Sequence, residues 1–151
     1  MIDAIDRKIL TILQENARLS NAQIARDIGL APSGVLERIR KLEKRGIITG
    51  YRATLDAAQV GCGMAAFLVV RTDDRPGDTK TAHRLAEIPE VQEVHYVAGD
   101  DSFLLKLRCR DNADLVRLLR EKIGAVMAVK SVRTNIVLET IKPSGPLPVG
   151  E

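Results

Sequence analysis

The sequence predicts an α+β chain: an N-terminal winged helix-turn-helix domain, then a C-terminal ferredoxin-like βαββαβ domain. Three observations predict it. Residues 19–45 read as two helices joined by a short, sharp turn, preceded by an amphipathic helix. From residue 64 onward, strand-type and helix-type segments alternate in the order βαββαβ. The charge is divided unevenly: residues 1–50 hold nine Lys/Arg against six Asp/Glu, whereas residues 51–151 hold fourteen of each. The whole net charge of +3 therefore lies in the helical part, the electrostatic footprint of a nucleic-acid-reading module beside a neutral partner domain.

The first helix is expected over residues 2–15, with Ile5, Ile9, Ile12 and Leu13 on one face and Asp3 and Asp6 favouring its N-terminal turn. Leu19 is placed under Leu13. Ser20 and Gln23 stand in capping-box spacing at the start of the second helix. Ile24, Ala25 and Ile28 give that helix its stripe, and Gly29 can take the conformation that ends it. Pro32 suits the first turn of the third helix, where its missing N–H is not needed. Val35, Leu36, Ile39 and Leu42 form the expected buried face. Opposite them lie Ser33, Gly34, Glu37, Arg40, Lys41 and Lys44, with Arg38 and Arg45 on the flank.

That layout sends the third helix into a DNA major groove. Ser33, Gly34, Glu37, Arg38 and Lys41 are expected at base edges, and Arg40, Lys44 and Arg45 nearer phosphates. The competing reading is a helical hairpin with a solvated basic face. The coincidence of turn, buried stripe and basic face favours DNA. Gly46 stops the helix, and Ile47 to Ala53 is read as a small hairpin or wing followed by a strand. The DNA-binding domain is thus set at residues 1–50 and the linker at 51–63.

In the second domain, residues 64–142, the first strand is expected over Met64 to Arg71. Pro76, Gly77 and Asp78 open a helix that turns Ala82, Leu85 and Ala86 inward. Strands at Val91 to Ala98 and Phe103 to Arg110 flank the turn Gly99-Asp100-Asp101. Asn112 is read as the cap of a second helix with Leu115, Leu118, Leu119 and Ile123 inward. The last strand is set at Val129 to Ile141. Two helices cover one face of such a sheet, so the other face is expected to pair with a second copy. Residues 143–151, rich in Pro and Gly, are read as a loose tail.

Several function classes find no support. Cys62 and Cys109 are read as small core residues, which fits a reducing cytoplasm. The start, MIDAID, has no apolar core of a signal peptide, and the longest charge-free run, Ala57 to Val70, is 14 residues, too short for a bilayer. His83 and His95 lack zinc-ligand spacing with the cysteines, so no metal or cofactor is expected. No catalytic constellation is found. The four aromatics, Tyr51, Phe67, Tyr96 and Phe103, are too scattered to stack single-stranded nucleic acid.

Taken together, the chain resembles the Lrp/AsnC, or feast/famine, transcriptional regulators. The motifs that carry the resemblance are IDRKIL at 5–10, LQENARLSNAQIA at 13–25, GLAPSGVLERIRKLEKRGII at 29–48, GYRA at 50–53 and VHYVAGDDSFLLK at 94–106, with the pair Arg133-Thr134. Two positions depart from the family pattern: Ala31 stands where a small polar cap is common, and Ser102 stands where an Asp often precedes the aromatic.

The resemblance implies a homodimer that assembles further to a tetramer or octamer on a palindromic operator in double-stranded DNA. It implies a small effector, an amino acid or a similar molecule, bound between subunits near the loop after the second strand. On this chain that loop is Gly99, Asp100, Asp101, Ser102 and Phe103, with Thr134 contributed by a neighbouring copy. Turn amides suit a carboxylate, and Asp100 or Asp101 suits an ammonium group. Two other functions share these features: an architectural DNA-binding protein without ligand control, and a decarboxylase on the same scaffold, which the basic helix disfavours.

Overall fold

A computed structural model describes residues 2–99 and 102–150. The chain forms two compact units, Met1–Ala53 with Ile141–Glu151, and Thr54–Thr140.

The first unit is built on three helices. In α1 (Ala4–Glu15) the Asp6 amide donates to Asp3 Oδ1 (2.8 Å) and the Asp3 amide to Asp6 Oδ2 (3.1 Å), a reciprocal cap for two otherwise orphaned donors. In α2 (Asn21–Ile28) the Gln23 amide donates to Ser20 Oγ and the Ser20 amide to Gln23 Oε1, the expected capping box. Gly29 ends α2 at φ +72°, in the left-handed region that a Cβ disfavours, and the Leu30 amide returns to the Ala25 carbonyl. Pro32 opens α3 (Pro32–Lys44), with Ala31 supplying no side-chain cap. Ile9, Leu10, Ile24, Ala25, Val35, Ile39 and Leu42 form the core of this unit. Each large apolar side chain buried there contributes about 1.5–3 kcal/mol. Leu36, expected in this core, is only half-buried on α3.

Two expectations here are corrected. The segment after Gly46 forms no strand or hairpin among the described residues. The Ile47 and Ile48 amides instead turn back to the Leu42 carbonyl, and the Tyr51 hydroxyl donates to Glu43 Oε1 at 3.0 Å. Nor is the end of the chain loose. Leu147 exchanges two hydrogen bonds with the Gln14 carboxamide, Arg7 donates to the Val149 carbonyl, and Val149 packs against the three-helix core.

The second unit is a four-stranded antiparallel sheet in the order β2-β3-β1-β4, from β1 (Met64–Thr72), β2 (Val91–Val97), β3 (Ser102–Cys109) and β4 (Val129–Ile136). Ala66, Leu68 and Val70 of β1 and Phe103, Leu105, Leu107 and Cys109 of β3 point to one face. There they meet Ala82 and Leu85 of α4 (Lys80–Ala86) and Leu115 of α5 (Asn112–Arg117). The other face carries Phe67, Lys106 and Asn135 side by side in register.

Four details depart from expectation. β4 stops at Ile136, which pairs with Ala66, although β1 begins at Met64 and the Val137 amide still donates to the Ala65 carbonyl. The cap of α5 is Asp111, which accepts from the Asp114 amide at 2.8 Å, leaving Asn112 as the first helical residue. On α4 the inward residue is Thr81, and Ala86 is exposed. Finally, α5 runs on into a π-helical turn, Leu118–Ile123, closed by the Gly124 amide on the Leu119 carbonyl. That wider turn lets Leu118 and Ile123, five residues apart, both reach the core.

Candidate nucleic-acid interface

The helix-turn-helix surface is the outward side of α3. Ser33, Glu37, Arg40, Lys41, Lys44 and Arg45 are exposed along it, and Gly34 is half-buried. Lys41 Nζ and Glu37 Oε1 lie 2.7 Å apart as an i,i+4 pair in solvent. Such a pair is worth little and exchanges readily for a phosphate or a base edge. The Lys41 ammonium holds the Glu37 carboxyl below the usual carboxylate range.

Arg38 behaves differently. Its Nη1 donates to Asp3 Oδ2 at 2.6 Å and to Asp6 Oδ1 at 2.8 Å, which ties the middle of α3 to the N-terminus of α1. Its side chain is 30% exposed and that of Asp6 only 12%. The hydrogen bonds it donates to Asp3 first and Asp6 second raise the guanidinium pKa and keep it charged. The Asp3 carboxyl in turn lies below its usual range, through the Asp6 amide first and Arg38 second. Arg38, expected at a base edge, is committed within the domain. The sequence marks Asp3 and Asp6 only as favourable charges at a helix N-terminus. A bond spanning more than thirty residues has no local spacing to betray it.

The effector loop is described in part. Val97 pairs with Ser102 across the β2–β3 hairpin, and Gly99 takes φ +128°, a backbone that favours glycine. Asp100 and Asp101 lie outside the described residues. The Phe103 side chain is 2% exposed, inside the core. Its ring lies 5.3 Å from that of Tyr96. This corrects Phe103 as a ligand-facing side chain: its position opposite Val70 turns it toward the helices. Thr134 is half-buried opposite Leu68, and β1 separates β4 from β3, so one chain does not bring Thr134 to the loop. Two further residues near the strand ends had no assigned role. The Tyr96 hydroxyl accepts from the Gly77 amide at 3.3 Å, and Asp74 Oδ2 is buried with no hydrogen-bond partner among the described residues.

No group of three metal-ligating side chains occurs among the described residues, and no described helix is long and apolar enough to cross a membrane.

Residues 2–49 match the winged helix-turn-helix DNA-binding family, and residues 65–147 match the Lrp/AsnC ligand binding domain. Over 148 residues the chain is 35% identical to the leucine-responsive regulatory protein of Escherichia coli (strain K12), covering 97% of this chain and 90% of that protein. The chain belongs to the Lrp/AsnC family. Solved structures agree. AsnC of E. coli superposes with a TM-score of 0.88 at 30% identity, covering 95% of this chain and 97% of that one. A transcriptional regulator from Neisseria meningitidis, solved in complex with L-Met, superposes at 0.92 with 29% identity, covering 99% and 97%. A feast or famine regulatory protein from M. tuberculosis, complexed with L-methionine, does so at 0.87 with 31% identity, covering 95% and 96%. This Lrp/AsnC chain is thus a transcriptional regulator with a DNA-binding helix-turn-helix domain and a ligand-binding domain, and its relatives are named as regulators rather than enzymes.

Proposed function

We propose that this Lrp/AsnC regulator binds a palindromic operator as a cytoplasmic homodimer, assembled further to a tetramer or octamer, and that an amino acid sets its DNA affinity. The observation that carries the reading is the coupling, in one chain, of a basic helix-turn-helix to a ligand-binding domain matched along nearly its whole length by relatives solved with L-Met. On DNA, Ser33, Gly34, Glu37 and Lys41 face base edges, and Arg40, Lys44 and Arg45 face phosphates. The open sheet face around Phe67, which is 36% exposed, pairs two copies, so that each dimer brings two α3 helices to a palindrome.

The effector occupies the loop 99–103 between copies, with turn amides on its carboxylate, Asp100 or Asp101 on its ammonium, and Thr134 from the neighbouring copy. Occupancy alters how dimers associate and thereby DNA affinity. A melting screen against the common amino acids tests this. A ligand at a hundred times its dissociation constant stabilises the folded state by about 2.7 kcal/mol. Asp100→Ala abolishes the shift and leaves the ligand-free melting point nearly unchanged. No shift with any amino acid would refute the effector assignment.

A further inference from the structure

We propose that the outer face of α1 is a docking surface for an extended, proline-spaced peptide segment. Its occupant is the end of this same chain, residues 146–150, acting as a releasable strap that supports the DNA-binding unit.

The segment is suited to docking without first folding. Pro143, Pro146 and Pro148 fix φ near the extended polyproline value, so little chain entropy is lost on binding. Prolines at 146 and 148 lack an N–H, so the Leu147 amide is an isolated donor between them. The surface reads that peptide unit. The Leu147 amide donates to Gln14 Oε1 at 2.7 Å, and Gln14 Nε2 donates back to the Leu147 carbonyl at 3.1 Å. A carboxamide paired with both the N–H and the C=O of one residue recognises extended backbone rather than a side chain. The Leu147 side chain is accordingly left 75% exposed.

Two residues further along the chain, the match becomes apolar and then cationic. Val149 packs against the three-helix core, and Arg7 Nη1 donates to its carbonyl at 2.9 Å. Gly150 then turns at φ +69°, where a Cβ would stand 3.1 Å from Arg7 Nη1. Gln14 and Arg7 lie seven residues apart on α1, two helical turns along one face. That separation, about 10.5 Å, exceeds the roughly 6 Å between the Leu147 and Val149 carbonyls on an extended segment, so the long Arg7 and Gln14 side chains converge on them.

The strap is releasable because both Leu147 bonds are exposed, the Arg7 bond is only part-buried and Val149 packs against the core without being fully buried; such segments open locally without global unfolding. It is also a second entry of the chain into the DNA-binding unit. Residues 1–53 reach the sheet unit through the linker, and residues 141–151 return from it after β4. Since α1 also carries the Asp3 and Asp6 carboxylates that hold Arg38 of α3, ordering α1 steadies the helix that presents the basic residues.

The test compares the full chain with a version ending at Lys142, by hydrogen exchange of the α1 amides and by affinity for duplex DNA. Loss of the strap is expected to speed exchange over residues 5–15 roughly fivefold and to weaken DNA binding about threefold. Adding a synthetic peptide of residues 143–151 restores both, whereas the same peptide carrying Val149→Asp restores neither. In the full-length chain Leu147→Pro removes the Leu147 amide hydrogen, keeps the segment extended and reproduces the faster exchange. Unchanged exchange after truncation, or equal rescue by both peptides, would overturn the docking surface. Faster exchange with unchanged DNA affinity would overturn the claim that the strap supports DNA binding.

Discussion

Arg38 Nη1 bridges two carboxylates of another helix, Asp3 Oδ2 at 2.6 Å and Asp6 Oδ1 at 2.8 Å. Its guanidinium is the bolt between α1 and α3, so Arg38 is expected to act on DNA through the position of the helix rather than through a base. The two roles separate experimentally. Arg38→Ala is expected to cost roughly 1–2 kcal/mol of domain stability and to weaken all DNA sequences alike. A base-reading Arg would relax one operator position instead. Asp6 is buried and cannot itself face DNA. Asp6→Ala should therefore weaken binding in the same way, and the double variant should do no more than the worse single one. Additive losses would show that Arg38 also touches DNA. Lys44→Ala, by contrast, leaves stability intact and flattens the salt dependence of binding.

A second prediction concerns Phe103. Because its ring is in the core against Tyr96, Phe103→Ala is expected to cost about 3–5 kcal/mol and to unsettle the whole sheet unit. Phe103→Leu should cost less than about 1.5 kcal/mol and leave any amino-acid-induced melting shift in place. Thermal melts of both variants with and without ligand check it. Loss of the ligand response in a stable Phe103→Leu protein would place the ring in the site.

Acid should loosen the start of α5. The Asp114 carboxylate accepts from Arg117 Nη2 at 2.7 Å and from the Arg110 amide at 3.2 Å, which lowers its pKa from 3.8 to about 2. The folded value is below the unfolded one, so this carboxylate contributes stability above 3.8 and loses it as pH falls toward about 2. Asp3, also lowered, loses the Arg38 bridge in the same direction as its carboxylate is protonated. Asp114→Asn should flatten the acid limb of a melting-temperature profile and leave the neutral region nearly level. An acid limb of unchanged slope would refute the assignment.

The features legible in the sequence were those with local chemistry. Ser20 and Gln23 announce their capping box by spacing, Gly29 its left-handed turn, and the alternation through Leu105, Leu107 and Cys109 a strand with one buried face. What escaped was long-range or shape-dependent. Nothing local to Arg38 points to Asp3, and nothing in PLPVG points to Gln14, more than a hundred residues away. The inward turn of Thr81 in place of Ala86 depends on how α4 lies on the sheet. At the effector loop, the same alternation carried back two residues from Leu105 puts Phe103 on the buried face; the family resemblance assigned it to the ligand instead.

The central claim, a DNA reader governed by an amino acid, is tested most directly by selecting bound duplexes from a random pool and titrating the best one with and without each amino acid. The account predicts an enriched palindrome with half-sites about one helical turn apart, bound with an affinity that one or a few amino acids change by roughly 5–150-fold. A pool that yields no shared sequence, bound equally with and without every amino acid, would contradict it.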